Sequence, residues 1–323
     1  MKLSILILLL NLFIVNHKQL TESIFSFNNY NQPEISKGII YLSNNSGMSW
    51  QNISNGIPED AMLSDLSLSG NSLGIATKKN GVFLYDATTS KWNKTLNTPS
   101  NFDINALLIL DGLIYTGTNG AGIFMSTDNG ANWQQSNFGL ESLIIRKIAK
   151  IEDKIYACTN GGLFTLNLFT NHWEKEFGDK LLQVNGITIL NNTIFIATNK
   201  GGFKSAINQK NWQRMSLDHS FHNISASGKT LFALAYNELY ASTDNGETWY
   251  NDQAGIPKGM YTFQLVHTNN YTLAGQWDGI YKKDFASNWI KWNNGLPAKI
   301  PITELKGNAH FLVAASSGWY LGD

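Results

Sequence analysis

Ser126-Thr127-Asp128-Asn129-Gly130-Ala131-Asn132-Trp133 returns almost letter for letter as Ser242-Thr243-Asp244-Asn245-Gly246-Glu247-Thr248-Trp249. A third copy, Ser43-Asn44-Asn45-Ser46-Gly47-Met48-Ser49-Trp50, keeps the serine, glycine and tryptophan. An octapeptide that repeats makes the chain an array. Outward from these copies the tryptophan recurs at Trp50, Trp92, Trp133, Trp173, Trp212, Trp249 and Trp289, at intervals of 42, 41, 40, 39, 37 and 40 residues. A second ruler, an aromatic residue or leucine opening a strand, runs through Leu73, Tyr115, Tyr156, Phe195, Phe232, Tyr271 and Phe311. A unit of about 40 residues made of short strands has the length of one four-stranded propeller blade. Seven of each marker predict an all-β, seven-bladed β-propeller of four-stranded antiparallel blades.

In the last repeat Trp289 and Trp292 compete for the marker position. Gly-Ile or Gly-Leu follows the tryptophan by six positions at Gly56-Ile57, Gly139-Leu140, Gly255-Ile256 and Gly295-Leu296, which selects Trp289 and puts Asp284 in the aspartate column. The pattern Ser-x-Asp-x-Gly-x-x-Trp resembles the Asp-box of the BNR-repeat propellers, a group that includes sialidases, sortilin-type receptors and photosystem II assembly-factor-like proteins. The resemblance spans the array, and the compact assembly-factor-like and sialidase-like members are nearest in size.

Locally, a carboxylate at the third position of a tight turn accepts backbone N–H groups, the glycine supplies a positive φ, and the tryptophan buries its ring. Asn45, Trp50, Asp128, Gly130, Trp133, Asp244, Gly246, Trp249, Asp284 and Trp289 therefore read as structural. The aspartate column is dispensable, holding Ala87, Leu168 and Ile207 in three repeats.

Around the first full box, Ile104 to Ile109, Leu113 to Thr118 and Ile123 to Ser126 read as successive strands, with a hairpin turn at Asp111-Gly112 and Trp133 opening the fourth. A small-residue column, Ala76, Thr118, Thr159, Thr198, Ala235, Ala274 and Ala314, is expected at the narrow end of the blade wedge. The array opens on a third strand at Gly38 to Tyr41. The strands missing from that blade recur at Ile302 to Lys306 and His310 to Ala315, so the two ends close the ring. Gly318 to Leu321 reads as one strand more than the ring needs.

Met1-Lys2 followed by the apolar run Leu3 to Val15 reads as a secretory signal peptide over 1–23. Residues 24–37 form an Asn- and Ser-rich lead-in and 38–323 the propeller. The expected location is secreted, periplasmic or cell surface. Thirteen apolar-dominated residues are too few to span a bilayer. Net charge is zero and the only arginines are Arg146 and Arg214, which leaves no basic footprint for nucleic acid. The lone cysteine, Cys158, is expected to be a buried thiol. Asp218-His219-Ser220-Phe221-His222 lacks further ligands at metal-site spacing, so neither metal nor cofactor is expected.

Resemblance to the sialidases implies a triad of arginines clamping the substrate carboxylate, which two arginines cannot supply. The expected function is a non-enzymatic, monomeric scaffold that binds a protein partner. The alternative is a carbohydrate-active protein, either a lectin or a non-sialidase glycosidase, with Asp65, Asp103, Glu238 and Asp278 as carboxylates whose mutual placement the sequence leaves open. The working surface is assigned to the loops between second and third strands, on the face opposite the boxes. The candidate residues are Lys78, Lys79, Lys200, Tyr236, Gln276, Trp277 and Asp278. Trp277 stands apart because it belongs to no repeating column.

Overall fold

The computed structural model describes residues 38–99, 101–110, 112–268, 271–284 and 286–318. The signal peptide, the lead-in, the surplus strand beyond Gly318 and the Asp111 half of the hairpin turn lie outside them. Seven four-stranded antiparallel sheets make seven blades. Blades 1 to 6 begin at Leu63, Ile104, Ile145, Val184, Phe221 and Gln264. Blade 7 takes its first two strands, Glu304–Gly307 and Leu312–Ala315, from the C-terminal side and its outer two, Ile40–Ser43 and Gln51–Asn52, from the N-terminal side. The seam is antiparallel, with Tyr41 facing Ala314 and Leu42 facing Val313.

Burial explains the composition of each strand position. Second strands such as Lys154–Thr159 are covered on both faces by neighbouring blades, and their residues from Ile155 to Thr159 are all buried. Fourth strands form the outer edge, and those of blades 2 and 4 are short and polar, at Gln134–Gln135 and Gln213–Arg214. A short polar edge resists pairing with another sheet. First strands line the axis, and each touches the first strand of the next blade right around the ring. Side chains tie them together across blade boundaries. Asp65 accepts the Leu107 N–H at 2.7 Å, Ser67 accepts that of Ile109 at 2.9 Å, and the Asn185 amide donates to the Phe221 carbonyl at 2.7 Å.

Two expectations need correction. The position equivalent to Thr118, Thr159 and Thr198 is Thr77 in blade 1, Ala235 in blade 5, Gln276 in blade 6 and Ser316 in blade 7, so the sequence ruler was one or two residues out of register in blades 1, 6 and 7 and the column is not uniformly small. The Thr77, Thr118 and Thr159 hydroxyls donate to the carbonyls of Gly81, Gly122 and Gly162 at 2.7, 2.8 and 2.9 Å, closing the hairpins. The repeating tryptophans also divide into two sorts. Trp92, Trp173 and Trp289 are fully buried and donate to carbonyls of the preceding blade's linker, whereas Trp133, Trp212 and Trp249 are only partly buried. Cys158 is buried, and burial pushes its thiol up to about 12.

Candidate binding funnel

The two ends of the ring differ in chemistry. At one end lie the boxes. In the copy at Ser126, the serine hydroxyl donates to Asp128 at 2.8 Å and accepts the Gly130 N–H at 2.8 Å, while Asp128 accepts the Asn132 N–H at 2.9 Å. The copy at Ser242 reproduces those three distances through Asp244, Gly246 and Thr248. Asn45 makes the same set at 2.9, 2.8 and 3.0 Å, its amide oxygen standing where the carboxylate oxygen stands elsewhere. Gly47, Gly130 and Gly246 hold φ of 83°, 83° and 78°, in the left-handed region that glycine tolerates. Asp284 keeps one bond, from the Asn288 N–H at 2.8 Å. These bonds, the Asn132 side-chain amide first among them, hold Asp128 down to about 2. In each full copy the serine hydroxyl and the aspartate carboxylate are spent on the turn itself.

At the other end, the loops between second and third strands bond to the linkers that precede the first strands. Lys78 N donates to Met62 O at 2.8 Å, Asn119 N to Asp103 O at 2.8 Å and Asn160 N to Ile144 O at 3.1 Å. The two loop sets therefore share a face, and there the axis opens as a funnel with a cavity of about 390 Å³.

A backbone irregularity builds its rim. The first strands of blades 1 to 5 each slip register by one residue near their start, and the bulged residues are Ser64, Asn105, Arg146, Asn185 and His222. In blades 6 and 7, Phe263 and Thr303 stand directly ahead of the first strand, and all seven residues line the funnel. A bulge re-aims a side chain that regular pleating would send elsewhere. The next residue of each first strand forms the throat, where Asp65, Lys147, Asn223, Gln264 and Glu304 contribute.

The rim is aromatic on one side. His222 stacks on Tyr261 with centroids 4.2 Å apart, Tyr261 meets Phe263 at 4.8 Å, and Phe263 meets Trp277 edge-on at 4.8 Å. Tyr236 touches Tyr261 edge-on at 6.0 Å. Burial lowers His222 to about 4, so its ring is neutral at pH 7, and its Nε2 has no hydrogen-bond partner among the described residues. Below, the throat holds opposed charges. Burial, reinforced by Asp65, pushes Glu304 up to about 8 against the pull of Lys306 and Lys147. Burial also raises Asp65, opposed by Lys306 and by the Leu107 and Leu66 N–H groups, and it lowers Lys147. Burial thus favours the protonated form of both carboxyls, with Glu304 at about 8.

The sequence candidates divide. Trp277, 53% exposed, and Lys78 line the funnel, and Tyr236 extends its aromatic side. Gln276 is fully buried beneath the loop and bonds Thr262, which corrects its assignment to the working surface. Asp278 is engaged by Lys291 at 2.7 Å and Tyr281 at 3.1 Å. Lys79 is exposed beside the funnel. Lys200 lines a separate depression with Arg214, Asp218 and His219. Of the four open carboxylates, Asp65 alone lines the funnel, and it is joined by Glu304. Asp218 pairs with Arg214, His219 stacks on Tyr240 and His222 on Tyr261, so the histidine pair is split. Among the described residues no three His, Cys, Asp or Glu side chains form a group that could hold a metal.

The rim residues were legible only once the register was right. Each stands thirteen positions ahead of the residue that ends the second strand of its blade or, in blade 7, directly follows it, from Ser64 and Thr77 to Thr303 and Ser316.

No protein-family model matches the sequence, and no curated protein matches it. Solved structures do resemble it. The extracellular domain of the putative one-component system BT4673 from B. thetaiotaomicron superposes with a TM-score of 0.68 at 15% identity, covering 82% of this chain and 38% of that one. This chain therefore spans well under half of that protein's length. YCF48 bound to a D1 peptide gives 0.62 at 13% identity, over 81% of this chain and 94% of that one. BamB from Moraxella catarrhalis gives 0.56 at 13%, over 83% and 87%. At these identities the likeness concerns the propeller fold. No helix among the described residues is long and apolar enough to cross a membrane.

Proposed function

We propose that this chain is an exported binding propeller, a scaffold rather than an enzyme, which captures its partner on the funnel face. The observation that carries the proposal is the arrangement at the rim: one side chain per blade, bulged in blades 1 to 5, converges on a single cavity, and its aromatic side leaves Trp277 and Tyr236 exposed. Large exposed aromatics beside a concave polar site are what binding surfaces use. On the box face the repeated serine and aspartate side chains are consumed within their own turns.

Catalysis fits the throat poorly. Asp65 spends one oxygen on each of two backbone N–H groups, so the carboxyl pair that glycoside hydrolysis requires has no free nucleophile. A sialidase clamp cannot assemble either. Arg146 stands at the rim while Arg214 pairs with Asp218 in the separate depression. The purified protein is expected to release no fluorophore from a sialoside substrate, and release in proportion to protein concentration would overturn the non-enzymatic reading.

Two kinds of partner have support. The similarity to YCF48 bound to a D1 peptide favours a polypeptide held by an assembly scaffold, and the similarity to extracellular sensor domains favours an extracytoplasmic setting. The make-up of the rim favours a saccharide. Alanine substitution at Trp277, followed by capture from an extract of the source cells, tests the shared claim that this face does the binding. Unchanged capture would move the site elsewhere.

A further inference from the structure

The rim is divided by blade in a way that narrows the ligand. Blades 5 and 6 supply rings, His222, Tyr261, Phe263 and Trp277, and blades 2 to 4 supply hydrogen-bonding groups, Asn105, Arg146 and Asn185. In a ring of seven, blade 6 lies across the axis from blades 2 and 3. An apolar wall of Phe263 and Trp277 therefore stands across the cavity from Asn105 and Arg146.

Arg146 is held in place by neutral groups. Its Nε donates to the Asn160 side-chain oxygen and its Nη2 to Gln183 Oε1 at 3.2 Å, and among the described residues no carboxylate pairs with it. A guanidinium oriented by amides keeps donors for a ligand and stays fully charged.

A pyranose ring has the matching duality: a face of C–H bonds that packs on an aromatic ring, and a perimeter of hydroxyls that both donate and accept. Resting on the reading that the funnel face is the working one, we infer that the funnel takes a saccharide, with one ring against Trp277 and its hydroxyls meeting Arg146 and Asn105. The cavity falls within the range of small-ligand sites. A peptide laid along the axis would look for backbone groups to pair with. At Leu107, Ile109 and Phe221 those of the first strands are already occupied by cross-blade bonds. Because Asp65 is tied to two backbone N–H groups, the sugar is bound and not cleaved.

Titration calorimetry of the protein with cellotetraose, mannotetraose, chitotetraose and tetragalacturonate tests the inference and separates neutral from acidic sugars. Saturable binding of at least one, with Kd near about 1 mM or tighter, is expected. Trp277→Ala should weaken it at least about tenfold, roughly 1.4 kcal/mol, at unchanged melting temperature. Arg146→Gln should weaken it as well, and Lys200→Ala, in the separate depression, should not. No saturable binding across the panel overturns the saccharide. If a polypeptide is meanwhile captured in a Trp277-dependent way, the funnel-face reading survives that failure. Sugar binding indifferent to both Trp277→Ala and Arg146→Gln overturns the inference and the funnel-face reading together.

Discussion

The Asp65 carboxylate of blade 1 accepts the Leu107 N–H of blade 2 at 2.7 Å while its other oxygen accepts the Leu66 N–H at 2.8 Å, so one side chain pins two first strands at the throat. Removing it strands two backbone donors away from water. Asp65→Ala is expected to cost about 2–3 kcal/mol in denaturant unfolding, and Asp65→Asn, which keeps one acceptor, less. Stability equal to that of the parent would show the blade junction is held by packing alone.

Glu304 gives a pH dependence of defined sign. Its folded-state value of about 8 lies above that of the free side chain, 4.5, so between those values the native state holds a proton that the unfolded chain has released. Stability contributed by the protonated form is therefore lost as pH rises through about 8. Glu304→Gln should be the more stable protein at alkaline pH, by about 2 kcal/mol, with little difference near about pH 5. Parallel stability curves for the two proteins would contradict the assignment.

The box turns predict a different contrast. Since Asn45 reproduces the bonds of Asp128 and Asp244, Asp244→Asn should melt close to the parent at neutral pH, whereas Asp244→Ala should melt lower. Both should bind ligand normally. With Asp128 held down to about 2, its contribution is present above the ordinary carboxylate value and lost as pH falls towards about 2. Loss of binding by Asp244→Ala at an unchanged melting temperature would give the box a role beyond structure.

The two sorts of tryptophan should be energetically distinct. Trp173 is fully buried and bonded to Ser136 O at 2.8 Å, and Trp173→Ala should cost about 3–5 kcal/mol through the cavity it leaves. Trp249, partly exposed and bonded within its own turn to Gly246 O at 3.1 Å, should cost less than half as much. Equal losses in thermal or denaturant unfolding would mean that the repeat matters more than burial.

Fold and site were unequally legible in the sequence, for physical reasons. Box turns and blade number depend on residues that must recur because every blade solves the same packing problem, so Trp50 to Trp289 and the glycines could be counted. Seam closure followed from the same counting, since the blade that opens with Ile40–Ser43 lacks the strands found at Glu304–Gly307 and Leu312–Ala315. The funnel depends on residues that must differ between blades. Trp277 was visible as a break in the pattern. His222, Tyr261, Phe263, Arg146 and Glu304 were not, because a bulge that slips the register by one residue leaves no mark in a composition pattern, and Tyr271 and Phe311 mimicked the strand column two positions early. Gln276 looked like a loop residue beside Trp277 but ends a strand, which is why it is buried.

The most direct test of the funnel face compares capture by three immobilised proteins from one extract of the source cells: the parent, Trp277→Ala, and Phe169→Ala. Phe169 is fully exposed at the turn between the third and fourth strands of blade 3, on the box face. The account predicts that the partner is retained by the parent and by Phe169→Ala and lost from Trp277→Ala, with all three proteins equally folded. Retention by Trp277→Ala with loss from Phe169→Ala would contradict it and place the working surface on the box face.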